Sequence, residues 1–100
     1  MASSESEIKQ NLLGYIWGYG GIYSSWYVGI SENPKDRLFS EHGVKEKEDA
    51  WICQKASSSE AARRVENYFI DILGTDGDSV DAGADALFIY AYKKKPYTNP

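Results

Sequence analysis

The fold class this sequence predicts is α+β, a small β-β-α-β-α-β domain with a three- to four-stranded, mainly antiparallel sheet flanked by helices. Three observations predict it. Stretches rich in Tyr, Trp, Ile and Val at 12–31, 49–55 and 87–92 have the composition of strands. Two segments between them carry helix start and stop signals, Asn33 to Gly43 and Ser57 to Gly74. No Gly-x-Gly-x-x-Gly joins a strand to a helix, which disfavours a doubly wound dinucleotide fold. Gly18, Gly20 and Gly21 come close in composition, but a strand is expected after them rather than a helix.

Residues 1–8 are polar and acidic and are expected to form a disordered lead-in, residues 9–95 a single domain, and residues 96–100 a tail. From Leu12 to Ser31 the strand formers are punctuated by breakers, which predicts a β-hairpin. Its turn has two possible placements, Gly20-Gly21 and Ser24-Ser25, which imply different registers. A short helix is predicted next. Asn33 suits its cap, Pro34 its first turn, Asp36 its positive end and Gly43 its stop. The charged run 44–49 reads as an exposed loop. Asp49 to Lys55 reads as a strand with Trp51 and Cys53 on one side and Ile52 on the other. Ser57 and Glu60 have capping-box spacing, and Ala61, Ala62, Val65, Tyr68, Phe69, Ile72 and Leu73 then recur as one helical stripe. Gly74 supplies the stop. Thr75 to Asp85 is a Gly/Asp-rich loop, and Leu87 to Tyr92 a strand ending in three lysines and Pro96.

Composition narrows the function classes. A chain of 100 residues that is 42% hydrophobic and 14% aromatic has enough apolar matter for one core. No apolar run approaches the ~20 residues needed to cross a bilayer, and the acidic start is the opposite of a leader peptide. No membrane association is expected, and a cytoplasmic, intracellular protein is. The single cysteine, Cys53, excludes an internal disulfide and a cysteine-built zinc site, and reads as a core residue. The single histidine excludes a His-rich metal site, and there is no phosphate-binding P-loop. The net charge of −4 and pI near 4.9 lack the basic balance of a nucleic-acid binder. Basic residues are nevertheless clustered locally, at Arg63-Arg64 and Lys93-Lys94-Lys95.

The stretch Tyr27-Val28-Gly29-Ile30-Ser31-Glu32-Asn33-Pro34-Lys35-Asp36-Arg37-Leu38 resembles the second half of the signature of the GIY-YIG nuclease superfamily. Arg37 follows Gly29 by eight residues, the family's spacing. Val65-Glu66-Asn67-Tyr68-Phe69-Ile70-Asp71 resembles the helix that carries the family's glutamate. The resemblance covers roughly residues 12–92 and is closest to small stand-alone members. It implies a metal-dependent endonuclease that hydrolyses DNA phosphodiester bonds. Glu66 would then hold one Mg²⁺ or Mn²⁺ ion, phosphate oxygens and waters completing an oxygen shell. Arg37 would clamp phosphate through its planar fork. Tyr27 would act beside the attacking water, its pKa of ~10 lowered by Arg37 and the metal.

The chain departs from the family pattern in three places. Gly14-Tyr15-Ile16 stands where Gly-Ile-Tyr is expected, with its last two members exchanged. Tyr15 is the first candidate for the second tyrosine, and Trp17 and Tyr19 share its face of a regular strand. The family's histidine lies four residues after the arginine, a position held here by Glu41. His42 comes one residue later, about 100° further round an α-helix; it is expected either to reach the site from the helix end, as a base or phosphate donor, or to be a surface histidine favoured by the helix C-terminus. The asparagine often found after the second helix has no counterpart in loop 75–86.

Plain structural readings stand beside these. Glu66 flanks a buried stripe where exposed glutamates are ordinary, Arg37 can snorkel over the sheet, and Tyr27 is one of eight tyrosines. Three functions follow. The first is an active nuclease. The second is a GIY-YIG-like domain that binds nucleic acid or a protein partner without cutting. The third is an unrelated α+β interaction domain with exposed aromatics. A minimal domain of this kind would take its specificity from a homodimer or a partner subunit.

Overall fold

Where the aromatic content predicts a strand, the chain opens with a helix. The computed structural model describes residues 3–77 and 85–100. Helix α1 runs Glu5–Gly18. Ser4 caps it: its hydroxyl accepts the Glu7 N–H, and the Glu7 carboxylate accepts the Ser4 N–H. Ile8, Leu12 and Ile16, spaced four apart, are fully buried on one face. That burial and the reciprocal cap override the β-propensity of Tyr15 and Trp17. The hairpin predicted over Leu12–Ser31 therefore does not form. Nor are residues 3–8 a loose lead-in, because the Ser3 N–H donates to the Lys55 carbonyl (2.9 Å) and residues 5–8 are helical. After α1, Gly20 and Gly21 take positive φ, 109° and 71°, and a short 3₁₀ turn at Tyr23–Ser25 leads into the sheet.

The sheet is built from β1 (Trp26–Ser31), β2 (Trp51–Lys55), β3 (Asp76–Gly77) and β4 (Phe88–Lys93), in the order β2-β4-β1-β3. β1 pairs with β4, antiparallel, from Trp26↔Lys93 to Ser31↔Phe88. β4 pairs with β2 in the same sense, and the two-residue β3 adds in parallel to β1. A mixed but mostly antiparallel sheet with helices makes this an α+β domain. The antiparallel partner of β1 comes from the far end of the sequence rather than from the residues just before it. Residues 78–84 of the polar loop predicted over Thr75–Asp85 lie outside the described residues.

Helix α2 (Ser59–Asn67) begins one residue later than its predicted cap. Ser58, rather than Ser57, takes extended geometry and accepts the Ala61 N–H through its hydroxyl (3.1 Å). The helix continues as a wider π turn over Tyr68–Leu73, which closes at Gly74 with φ 84°. Of the predicted stripe, Ala61, Ala62, Val65 and Phe69 are buried, whereas Ile72 is largely exposed. β1 alternates between two cores. Trp26, Val28 and Ile30 join α1, α2 and the inward residues of β4, Ile89 and Ala91. Tyr27 joins Tyr90 and Tyr92 with Leu38 and Val44. Strand β2 splits as predicted, Trp51 and Cys53 packing on the second cluster and Ile52 on the first. No helix among the described residues is long and apolar enough to cross a membrane.

Candidate functional site

The second cluster gathers the site residues, and the turn after β1 delivers two of them. Asn33 accepts the Asp36 N–H and Asp36 accepts from the Asn33 amide, so the predicted start of the turn is present. From Asp36 to Glu41 the backbone winds as a π turn. The His42 N–H donates to the Arg37 carbonyl, five residues back, at 2.8 Å. A π turn takes about one residue more than an α turn. His42 is therefore carried back over Arg37, instead of lying 100° away as regular α geometry predicts. The ring of His42 is 4% exposed and packs on Tyr27, centroids 4.6 Å apart.

Both ring nitrogens of His42 are engaged. Nε2 lies 2.9 Å from the Tyr90 hydroxyl, and Nδ1 lies 2.6 Å from the main-chain carbonyl oxygen of Asn99. The Tyr92 hydroxyl is also near Nδ1, at 3.2 Å. Tyr27 stacks on Tyr92 (5.3 Å, 23°) and on Tyr90 (6.3 Å, 24°). Gly29 makes the Tyr90 position possible. A β-carbon on Gly29 would lie 2.6 Å from the Tyr90 hydroxyl oxygen, so the ring occupies the space a side chain would take. The glycine of the Tyr-Val-Gly triplet thus serves this tyrosine directly.

Charge converges on the same hydroxyl. Burial pushes the Tyr90 phenol well above its ordinary range. The Arg37 guanidinium opposes that shift, while Tyr27, Tyr92 and the Glu66 carboxylate add to it. Tyr92 is raised as well, by burial first and then by Tyr27 and Asp76. Of the five residues expected in one site, His42 bonds Tyr90, Tyr27 stacks on it, and the charges of Arg37 and Glu66 bear on its phenol. Tyr90 itself was no candidate, nor was Tyr92. The available signal was the alternation Tyr90-Ala91-Tyr92, which sets two phenols on one face of β4, but nothing in the spacing tied that face to Tyr27.

Tyr15 is not brought to this group. It sits on α1 against Trp26, on the opposite face of the sheet, and its hydroxyl accepts the Trp51 N–H at 3.1 Å. Tyr19 packs beside it (5.1 Å), and Trp17 is mostly exposed, its indole N–H donating to the Tyr23 hydroxyl. Cys53 is half-buried rather than core, with its thiol pushed up by burial and held back slightly by Lys35.

Glu66 is 2% exposed, although its helix face alone predicts an ordinary surface carboxylate. A buried carboxylate whose charge bears on a phenol has the hard-oxygen chemistry a divalent cation accepts. No three His, Cys, Asp or Glu side chains cluster for a metal among the described residues. A cation at Glu66 would accordingly take most of its ligands from substrate and water. Arg37 is where the cluster meets solvent, its side chain 32% exposed and 3.4 Å from Glu41. The basic clusters are partly neutralised: Arg64 pairs with Glu5 (2.6 Å) and Lys94 with Asp76 (3.5 Å). A separate groove of about 350 Å³ along α1 and α2, lined by Glu5, Lys9, Arg64, Tyr68 and Ile72 among others, shares no residue with the cluster. No family model, curated protein or solved structure matches the chain.

Proposed function

We propose that this domain hydrolyses DNA phosphodiester bonds as a metal-dependent endonuclease of the GIY-YIG type. One observation carries the reading: the Tyr90 hydroxyl bonds His42 and its ring stacks on Tyr27, and the charges of Arg37 and Glu66 bear on its phenol, residues spread over forty positions. In this reading Arg37 receives the phosphate at the open edge of the cluster, its fork matching two phosphate oxygens. Glu66 would hold a divalent cation, which would supply neutralisation of charge on the phosphate oxygens. Tyr90 and Tyr27 border the place of the attacking water, which passes its proton to the Tyr90 oxygen as the Tyr90 proton passes to His42 Nε2, so the phenol stays protonated while the P–O bond to the leaving oxygen breaks and that oxygen takes a proton from solvent water. With the Tyr90 phenol held protonated by burial, His42 is the better proton acceptor of the pair near neutral pH. Tyr90 takes the place that the resemblance offered to Tyr15.

A nicking assay on supercoiled plasmid, with Mg²⁺ or Mn²⁺ and with chelator, tests this. Wild type is expected to nick only with the cation, and Arg37→Ala to lose about 10²-fold or more in rate. Equal cleavage by both chains would contradict the proposal and indict a contaminant.

A second reading, a domain that binds nucleic acid or a protein without cutting, is favoured by the burial of the cluster. His42, Glu66, Tyr90 and Tyr92 are all closed to solvent, and the net charge is −4. Salt-dependent DNA binding without cation-dependent cleavage would select it. The third reading, an interaction domain with no role in nucleic-acid chemistry, rests on the exposed Trp17, Tyr19 and Ile22.

A further inference from the structure

The segment after β4 folds back over the cluster instead of trailing away. Lys95 and Thr98 form a closed turn, the Lys95 N–H donating to the Thr98 hydroxyl and that hydroxyl donating to the Lys95 carbonyl. Thr98 is buried, the Tyr97 hydroxyl bonds the Asp49 carboxylate, and the Lys45 ammonium lies over the Tyr97 ring at 4.5 Å. Asn99 and His42 are then joined twice. The Asn99 N–H donates to the His42 carbonyl at 2.8 Å, and the Asn99 carbonyl faces His42 Nδ1 at 2.6 Å.

A carbonyl oxygen only accepts. Nδ1 must therefore carry a proton, because a bare Nδ1 would set two lone pairs against each other at 2.6 Å. In the neutral ring the proton on Nδ1 leaves Nε2 bare, so the hydrogen bond at 2.9 Å runs from the Tyr90 O–H to Nε2. Tyr92 cannot fix the ring, since a hydroxyl both donates and accepts and would suit either tautomer.

We propose that Asn99 is a positioning residue: its main-chain carbonyl locks His42 as the Nδ1–H tautomer and so makes Nε2 the acceptor of the Tyr90 hydroxyl proton. Its catalytic meaning rests on the nuclease reading, but the tautomer does not. A wrong tautomer disables a histidine base without disturbing its place, which separates positioning from simple packing.

His42 is the one histidine of the chain, so ¹⁵N-histidine labelling yields a single imidazole for long-range ¹H–¹⁵N correlation. The result expected near neutral pH is a protonated Nδ1 and a bare Nε2. A protonated Nε2 with bare Nδ1 overturns the proposal, even if the plasmid is nicked. Asn99→Ala keeps the carbonyl and is expected to keep the tautomer, as is Tyr92→Phe. A change of tautomer in Tyr92→Phe would transfer the role to Tyr92 and overturn the assignment. A chain ending at Pro96 is expected to lose the lock, its two nitrogen signals moving toward an average of both tautomers. An unchanged ring in that folded, shortened chain also overturns the proposal. Should the shortened chain not fold, the wild-type and Tyr92→Phe spectra decide. Where wild type nicks DNA, the shortened chain is expected to lose about 10²-fold in kcat with KM little changed. Absent nicking with Nδ1 protonated, the tautomer assignment stands and the nuclease reading falls.

Discussion

Gly29 and Tyr90 are a matched pair across the sheet, one lacking a side chain where the other needs room. Gly29→Ala would set a β-carbon 2.6 Å from the Tyr90 oxygen and 2.7 Å from its ring. Tyr90 is 1% exposed and tied to His42, so it has little freedom to move aside. Overpacking of this kind costs about 1–3 kcal/mol. A thermal melt is expected to show the midpoint falling by roughly 4–8 °C per kcal/mol, and an unchanged melt would show that the ring yields. Tyr90→Phe tests the hydroxyl alone. It leaves a buried His42 nitrogen without that partner, at an expected cost of about 1–3 kcal/mol by chemical denaturation. At this scale the sequence singles out Tyr27, Arg37 and Glu66 only through the resemblance of their spacing to a nuclease signature. It was not legible for Tyr90, whose role depends on a cross-strand register that no local spacing reports.

Among the elements, α1 shows how a helix hides behind strand-like composition. Ser4 and Glu7 stand at capping-box spacing, and Ile8, Leu12 and Ile16 form a four-residue repeat, so both signals were in the sequence. The interleaved Tyr15, Trp17 and two glycines, Gly14 and Gly18, obscured them. In the Ser57-Ser58-Ser59 run, three adjacent residues have equal chemistry, and only backbone geometry selects Ser58 as the cap. Ser58→Ala is expected to cost about 1 kcal/mol by urea denaturation, and Ser57→Ala a few tenths at most. The reverse order would return the cap to its predicted position. The turn after β1 was legible in its start and stop, Asn33 and Gly43. Its winding was not, since a π turn has no simple residue signature and shifts every later side chain around the axis. That shift is the whole difference between a displaced His42 and one facing Tyr90.

For the molecule as a whole, the α+β class followed from composition and helix caps, although the strand that partners β1 was misassigned. Long-range pairing of β1 with β4 leaves its mark in burial on both faces, not in any turn sequence. The central strand β4 carries two phenols, Tyr90 and Tyr92, both raised by burial. In the unfolded chain a tyrosine loses its proton near pH ~10. A raised folded pKa therefore gives stability that is complete below that pH and declines as pH rises toward the folded value. The expected loss is about 1.4 kcal/mol per pH unit for each phenol above pH ~10. Phenolate absorbance and circular dichroism recorded together should show the last tyrosines ionising as the fold is lost; early ionisation of all eight in a folded chain would contradict the burial.

The claim that the cluster around Tyr90 is a phosphodiester-cleaving centre is tested most directly by the cation-dependent nicking rate of Glu66→Gln beside wild type. The substitution keeps the shape of the buried side chain and removes its charge. With both chains folded, the account predicts nicking by wild type and a loss of about 10²-fold or more in the variant. Nicking at equal rates would show that Glu66 plays no part in cleavage and would contradict the account.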